Sequence, residues 1–167
     1  MGDRPRIGIS RCLLGDRVRY DGGDKHEPSL IDALAAHVEW VPVCPELEVG
    51  MGVPREPIQL LTAGDGSRVR LVGVDSGADW TDRMQLWTAE KIAALQALGL
   101  SGFVLKSRSP SCGPRDVPVR GGHPSPGMFA QVLMTAMPNL PVDDEEGLRD
   151  PEARAAFLAR VAGFHPG

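Results

Sequence analysis

Short apolar strand patterns alternate with helical ones along this chain, and the alternation restricts the fold more than any other property of its 167 residues. Arg6-Ile-Gly-Ile-Ser10 reads as a strand, Ser29–Ala36 as a helix opened by a capping-type serine, and Val38–Cys44 as a second strand. Between Pro45 and Pro57 the density of Gly and Pro predicts a long irregular loop. Ile58–Leu61 and Arg68–Val72, joined through Gly64-Asp-Gly66, predict a hairpin. Trp80–Leu98 carries Met84, Trp87, Ile92, Leu95 and Leu98 on one broad face and stops at Gly99, the pattern of an amphipathic helix with a glycine terminator. Gly102–Leu105 is a third strand, Met128–Met137 a helix and Leu140–Val142 a short strand, and Asp150-Pro151 opens the last helix with a cap and a first-turn proline.

Strand, helix and strand in succession imply a mostly parallel sheet, because right-handed crossovers return each strand in the same direction. The fold class is therefore α/β, a three-layer Rossmann-like arrangement in which ligands bind outside the carboxyl ends of the strands. The length suits one hydrophobic core, so residues 1–167 are expected to form a single domain. Nine Gly or Pro among the 21 residues from Ser107 to Gly127 mark a long loop, which in a compact chain is usually functional.

A net charge of −4 and only eight aromatic residues argue against duplex binding or a base-stacking platform as the main role. No apolar run approaches bilayer length and Met1-Gly-Asp-Arg-Pro-Arg has no signal-peptide core, so the expected location is the cytoplasm.

The chain has three cysteines, Cys12, Cys44 and Cys112, too few and too far apart for a secreted disulfide framework. Cys12 follows the first strand, Cys44 closes the second, and Cys112 lies in the loop leaving the third. All three should emerge at one end of the sheet. The residues leave several explanations open. Isolated cysteines are often small buried hydrophobes. Three thiolates with His26 or His123 would make a zinc site, although the close Cys pairs of structural zinc sites are absent. A cysteine nucleophile with a nearby base uses one thiol and leaves two idle. Three thiolates would also hold a four-iron cluster whose fourth iron has no protein ligand, open to substrate.

Several segments, in one order, resemble those of the thiouracil desulfidases: Cys12-Leu-Leu-Gly15, Val18-Arg-Tyr-Asp-Gly22, Pro42-Val-Cys-Pro-Glu46, Gly52-Val-Pro-Arg-Glu56, Ser107-Arg-Ser-Pro-Ser-Cys-Gly113, Met128-Phe-Ala130, and Leu140-Pro-Val142 with acidic residues after it. The resemblance spans nearly the whole chain, in a short form without a further C-terminal domain. It implies a 4Fe–4S cluster held by Cys12, Cys44 and Cys112, with one iron not bound by protein. That iron takes the sulfur of a thiolated base such as 2-thiouracil, which is hydrolysed to uracil and hydrogen sulfide. Arg11 departs from the family pattern, where a small residue, often Ser, precedes the first cysteine.

Exchanging a C=S sulfur for oxygen needs a Lewis acid, a base that activates water and a donor for the leaving group. Glu46, two residues after Cys44 in a proline-restrained turn, is the first candidate for the base, with Glu48 behind it. Ser109 is the candidate proton-relaying or substrate-binding hydroxyl. Ser111, Tyr20 and Asp21 are candidate substrate contacts. Arg17, Arg19, Arg55, Arg108 and Arg115 are all expected at this edge, where they would orient an anion or a nucleotide phosphate. Gly22-Gly23 and Gly121-Gly122 lie in no strand, Gly-rich loop and helix fingerprint. Two other functions use the same residues: a sulfur carrier or thiolation factor binding sulfide at the open iron, and a non-catalytic zinc-binding module. The expected partner is a small thiolated base, with neither membrane nor duplex nucleic acid.

Overall fold

A computed structural model describes residues 3–166, so Met1, Gly2 and Gly167 lie outside the described residues. The main sheet has four parallel strands in the order β2-β1-β5-β7, formed by β1 (Arg6–Ser10), β2 (Glu39–Val43), β5 (Gly102–Leu105) and β7 (Val142–Asp144). Ile7 and Ile9 of β1 and Val104 of β5 pack on one face against α1 (Pro28–Ala35), through Leu30 and Leu34, and α5 (Pro151–Gly163), through Phe157 and Val161. Phe103 and Leu105 turn to the other face, beneath Ile92 and Leu95 of α3 (Thr81–Ala97) and Phe129 and Leu133 of α4 (Met128–Ala136). Helices on both faces make the three layers that the alternating pattern predicts.

Gly8 stands opposite Phe103 in the register, and a Cβ there would lie 2.4 Å from the Phe103 ring. The missing side chain lets that ring lie across the central strand and meet Phe129 edge-on, with centroids 5.8 Å apart. A second sheet, β4-β3-β6, combines β3 (Ile58–Leu61) and β4 (Arg70–Gly73), which lie between β2 and β5 in the chain, with β6 (Val119–Arg120), which follows β5. Its own core joins Leu60, Leu71 and Val119 to Met84 of α3 and Met128 of α4. The predicted hairpin is thus real, and its third strand comes from within the long loop after β5.

Three local expectations need correction. Pro45–Glu48, expected to be loop, forms the one-turn helix α2, because a proline at the first position and acids in the first turn favour a helix start. The irregular path begins after it, where Gly50 and Gly52 take positive φ. Helix α1 starts at Pro28 with no side-chain cap, so Ser29 lies inside the first turn instead of capping it. Strand β7 runs two residues beyond its expected end, since Asp143 and Asp144 find Arg115 as a partner at the sheet edge. The stop at Gly99, with φ +70°, and the Asp150 cap, accepting from Glu152 N at 3.2 Å, are as expected. Among the described residues, no helix is long and apolar enough to cross a membrane.

Candidate functional site

The connection from β1 leads to β2 on one side, whereas β5 lies on the other, so the strand order reverses at β1 and opens a crevice at its carboxyl end. A cavity of about 490 Å³ lies there, lined by Cys12, Cys44 and Cys112 together with Glu46 and Ser109. Cys12 sits in a 3-10 turn, Arg11–Leu14, directly after β1, and Cys44 precedes α2 at the end of β2. Cys112 lies in the loop after β5. The three are free thiols, 8%, 5% and 4% exposed.

Burial pushes the Cys12 thiol up to about 11, with Arg19 pulling it down and the Glu46 charge adding to the rise. Burial and then Glu46 push Cys44 up to about 12 and drive Cys112 well above the ordinary thiol range. These thiols are neutral near pH 7, the opposite of an activated cysteine nucleophile, whose pKa is depressed. A metal centre would have to displace their protons. Among the described residues, no group of three or more His, Cys, Asp or Glu side chains is placed to hold a single metal ion. His26 and His123 are exposed and neither borders the cavity. A cavity lined by three soft thiol donors, with no imidazole on its wall, fits an iron–sulfur cluster better than a four-ligand zinc ion.

Glu46 connects two of the cysteine-bearing segments. Its Oε1 accepts the hydroxyl of Ser111 and faces Ser109 Oγ at 3.5 Å, and its Oε2 is 3.8 Å from Cys44 Sγ. Ser109 Oγ accepts the backbone N–H groups of Cys112 (3.1 Å) and Ser111 (3.2 Å), which shapes the turn that presents Cys112. With both lone pairs engaged, its own hydrogen is directed to Glu46 or to Ser111 Oγ, 3.1 Å away. Ser111 is fully buried, off the cavity wall and behind Glu46, so it meets the carboxylate and not the cavity space. Glu48 also lies off the wall, accepting from Cys44 N at 3.0 Å and pairing with Lys91 at 3.0 Å.

Tyr20 borders the cavity, 38% exposed, with the Arg19 guanidinium 5.7 Å from its ring centroid. Asp21 does not; its Oδ1 accepts Gly23 N at 2.8 Å in an exposed turn. Of the five arginines expected at this edge, Arg19, Arg55 and Arg108 line the cavity and Arg17 and Arg115 do not. Arg11 also lines it, its charge paired with Asp16 at 3.0 Å. Arg19, Lys25 and Arg55 are cavity cations that form no ion pair among the described residues.

The sequence reading overlooked Lys106 and Glu145, a buried ion pair on the cavity wall, 3.2 Å apart. One signal was available: each directly follows a strand, at the end of the sheet where the cysteines emerge.

Residues 7–145 match the 2-thiouracil desulfurase family. The chain is 33% identical over 111 residues to the uncharacterised protein YbbK of Bacillus subtilis strain 168, covering 64% of this chain and 72% of that one. Its fold matches the solved structure of the 4Fe–4S-dependent thiouracil desulfidase TudS with a TM-score of 0.72 and 30% identity, over 92% of this chain and 97% of the other. With the match running from β1 to the end of β7, through all three cysteines and Glu46, the chain belongs to the 2-thiouracil desulfurase family.

Proposed function

We propose that this chain is an iron–sulfur enzyme that replaces the sulfur of a thiolated pyrimidine, such as 2-thiouracil, with oxygen from water, releasing hydrogen sulfide. The observation that carries the reading is the meeting of three buried thiols and one half-buried carboxylate, Glu46, around a single cavity. Cys12, Cys44 and Cys112 are the ligands of a 4Fe–4S cluster in this reading, which supplies a Lewis-acidic iron without a protein ligand for the thiocarbonyl sulfur. Glu46 takes a proton from the attacking water, and Ser109, whose hydroxyl faces the same carboxylate at 3.5 Å, orients that base and passes its proton on. Tyr20 offers a ring face to the pyrimidine. The change C=S + H₂O → C=O + H₂S moves no electrons, so turnover needs no reductant.

Arg19, Lys25 and Arg55 favour an anionic form of the substrate, a nucleotide over the free base, because each brings a charge that no carboxylate of the described chain pairs. A reducing cytoplasm would keep the three thiols free for the cluster.

The experiment is an anaerobic reconstitution with iron and sulfide, followed by assay against 2- and 4-thiouracil and their nucleoside and 5′-monophosphate forms. Release of sulfide with the matching oxo product, in the absence of a reductant, is the expected result. A protein that loads iron but requires an electron donor at steady state would overturn the hydrolytic reading, and a colourless protein with stoichiometric zinc would overturn the cluster.

A further inference from the structure

Lys106 is the first residue past β5 and Glu145 the first past β7, and the register pairing Leu105 with Asp144 sets the two side by side. Lys106 Nζ lies 3.2 Å from Glu145 Oε2 and donates to Ser107 O at 2.8 Å and Ser107 Oγ at 3.1 Å, so all three ammonium hydrogens have acceptors in the wall. Glu145 accepts in addition from Ser107 N at 2.6 Å and Ser107 Oγ at 2.8 Å. The Lys106 backbone N–H reaches across to Ser10 Oγ, the last residue of β1, at 2.9 Å. The backbone bond ties Lys106 to β1, and the ammonium is fixed on the cavity wall beyond the ends of β5 and β7.

A buried ion pair is a poor way to gain stability, since an apolar pair of similar volume often holds a wall equally well or better. Its orientation suggests another use. The Lys106 side chain is 15% exposed and the Glu145 side chain 2%. The pair is therefore a dipole with its positive end towards the cavity. That cavity collects negative charge, from Glu46, from the three thiolates once metal is bound, and from the sulfur the reaction releases. We propose that Lys106, oriented by Glu145, is a positioning residue that holds a fixed positive potential over this sulfur-rich centre, an inference that rests on the desulfidase reading above. A charge already locked in place needs no reorganisation when negative charge develops, and such preorganisation is where fixed groups act most strongly.

The test must separate this potential from simple wall-building. Lys106→Met alone strands a buried carboxylate and can fail to fold, so the informative variant is Lys106→Met/Glu145→Met, which removes both charges and keeps the volume. After anaerobic reconstitution it should fold, carry full iron and show the cluster absorption. The reduction midpoint of the cluster should move to a more negative potential, and kcat should fall by about tenfold or more with KM little changed. Lys106→Arg, which keeps the charge, should return both quantities towards the parent values. A double variant with unchanged midpoint and unchanged kcat would show that the pair only builds the wall, and one that loses its iron would show that it only supports the cysteine loops; either overturns the assignment. If the parent protein takes up no iron, the assignment and the desulfidase reading fall together. If it takes up iron and desulfurates no thiopyrimidine while the midpoint still shifts, the desulfidase reading alone falls.

Discussion

Ser111 donates its hydroxyl to Oε1 of Glu46 across 65 residues of sequence, joining the loop that carries Cys112 to the turn that follows Cys44. The bond places the carboxylate from behind, leaving Ser109 to face the cavity. The two serines should therefore behave differently from Glu46 itself. Glu46→Gln, close in shape, should lower turnover by roughly 10²–10⁴-fold while iron content and colour stay intact, the range of a lost general base. Ser111→Ala should retain iron and lose about tenfold, because the base remains but is less well oriented. Iron and turnover measured on one anaerobic preparation check both, and a normal rate in Glu46→Gln would take Glu46 out of the reaction.

Replacing any one of Cys12, Cys44 or Cys112 by Ser should strongly deplete bound iron without unfolding the chain. Each thiol is small and buried, Cys12 and Cys44 beside strand ends and Cys112 in the loop after β5, where a hydroxyl fits the space but is a poor ligand for soft iron. Iron analysis beside a circular dichroism spectrum decides the matter, and a variant with full iron and full activity would not have lost a ligand.

Arg115, three residues past Cys112, holds the loop to the sheet by reaching Asp144 at 2.9 Å and Asp143 at 3.3 Å. Its side chain is half exposed, so solvent screening keeps the contribution to global stability small. The effect should instead be local. Arg115→Ala should leave the melting temperature nearly unchanged and speed the loss of iron to a chelator, because the Cys112 ligand then sits on a looser loop. Equal chelation rates in parent and variant would show that the loop does not need this tether.

The carboxyl ends of the strands, and the cysteines near them, were legible in the sequence because apolar runs mark the strands, Cys12 and Cys44 follow theirs closely, and Cys112 lies in the Gly- and Pro-rich loop that leaves β5. The partners of the acidic run were not. Asp143, Asp144, Glu145 and Glu146 are consecutive, yet the first two take Arg115, the third takes Lys106 and the fourth takes Arg108. Which acid turns inward depends on where β7 ends, and the apolar pattern places that end at Val142, two residues early. Likewise Ser109 and Ser111 both flank Pro110, and only the folded turn shows that one faces the cavity and the other lies buried behind Glu46.

The central strand offers a test of packing apart from the chemistry. A methyl group at Gly8 would meet the Phe103 ring at 2.4 Å, so Gly8→Ala should destabilise the protein by about 1–3 kcal/mol, the usual cost of overpacking a tight core. Trimming the ring in Gly8→Ala/Phe103→Leu should recover part of that loss. Chemical denaturation of the parent, Gly8→Ala, Phe103→Leu and the double variant measures it, and additive losses in the double variant would mean that the ring is not what the methyl strikes.

Glu145 gives the pH dependence of stability a definite sign. Burial alone would raise its pKa, but the hydrogen bonds from Ser107 and the charge of Lys106 outweigh burial and hold it below the ordinary carboxylate value. A carboxyl depressed in the folded state binds its proton more readily when unfolded, so its stabilisation is complete above the unfolded pKa of about 4.3 and is lost as the pH falls through the lower folded value. Glu145→Gln has nearly the shape of the protonated side chain and leaves Lys106 equally without a counter-charge. The variant should therefore be less stable than the parent at pH 7, and the two stability curves should converge as the pH drops below about 4. Denaturant midpoints taken at intervals between neutral and acidic pH follow the convergence. A gap that stays constant down to acid pH would mean that Glu145 stabilises the fold through its shape and neutral hydrogen bonds, not through its charge.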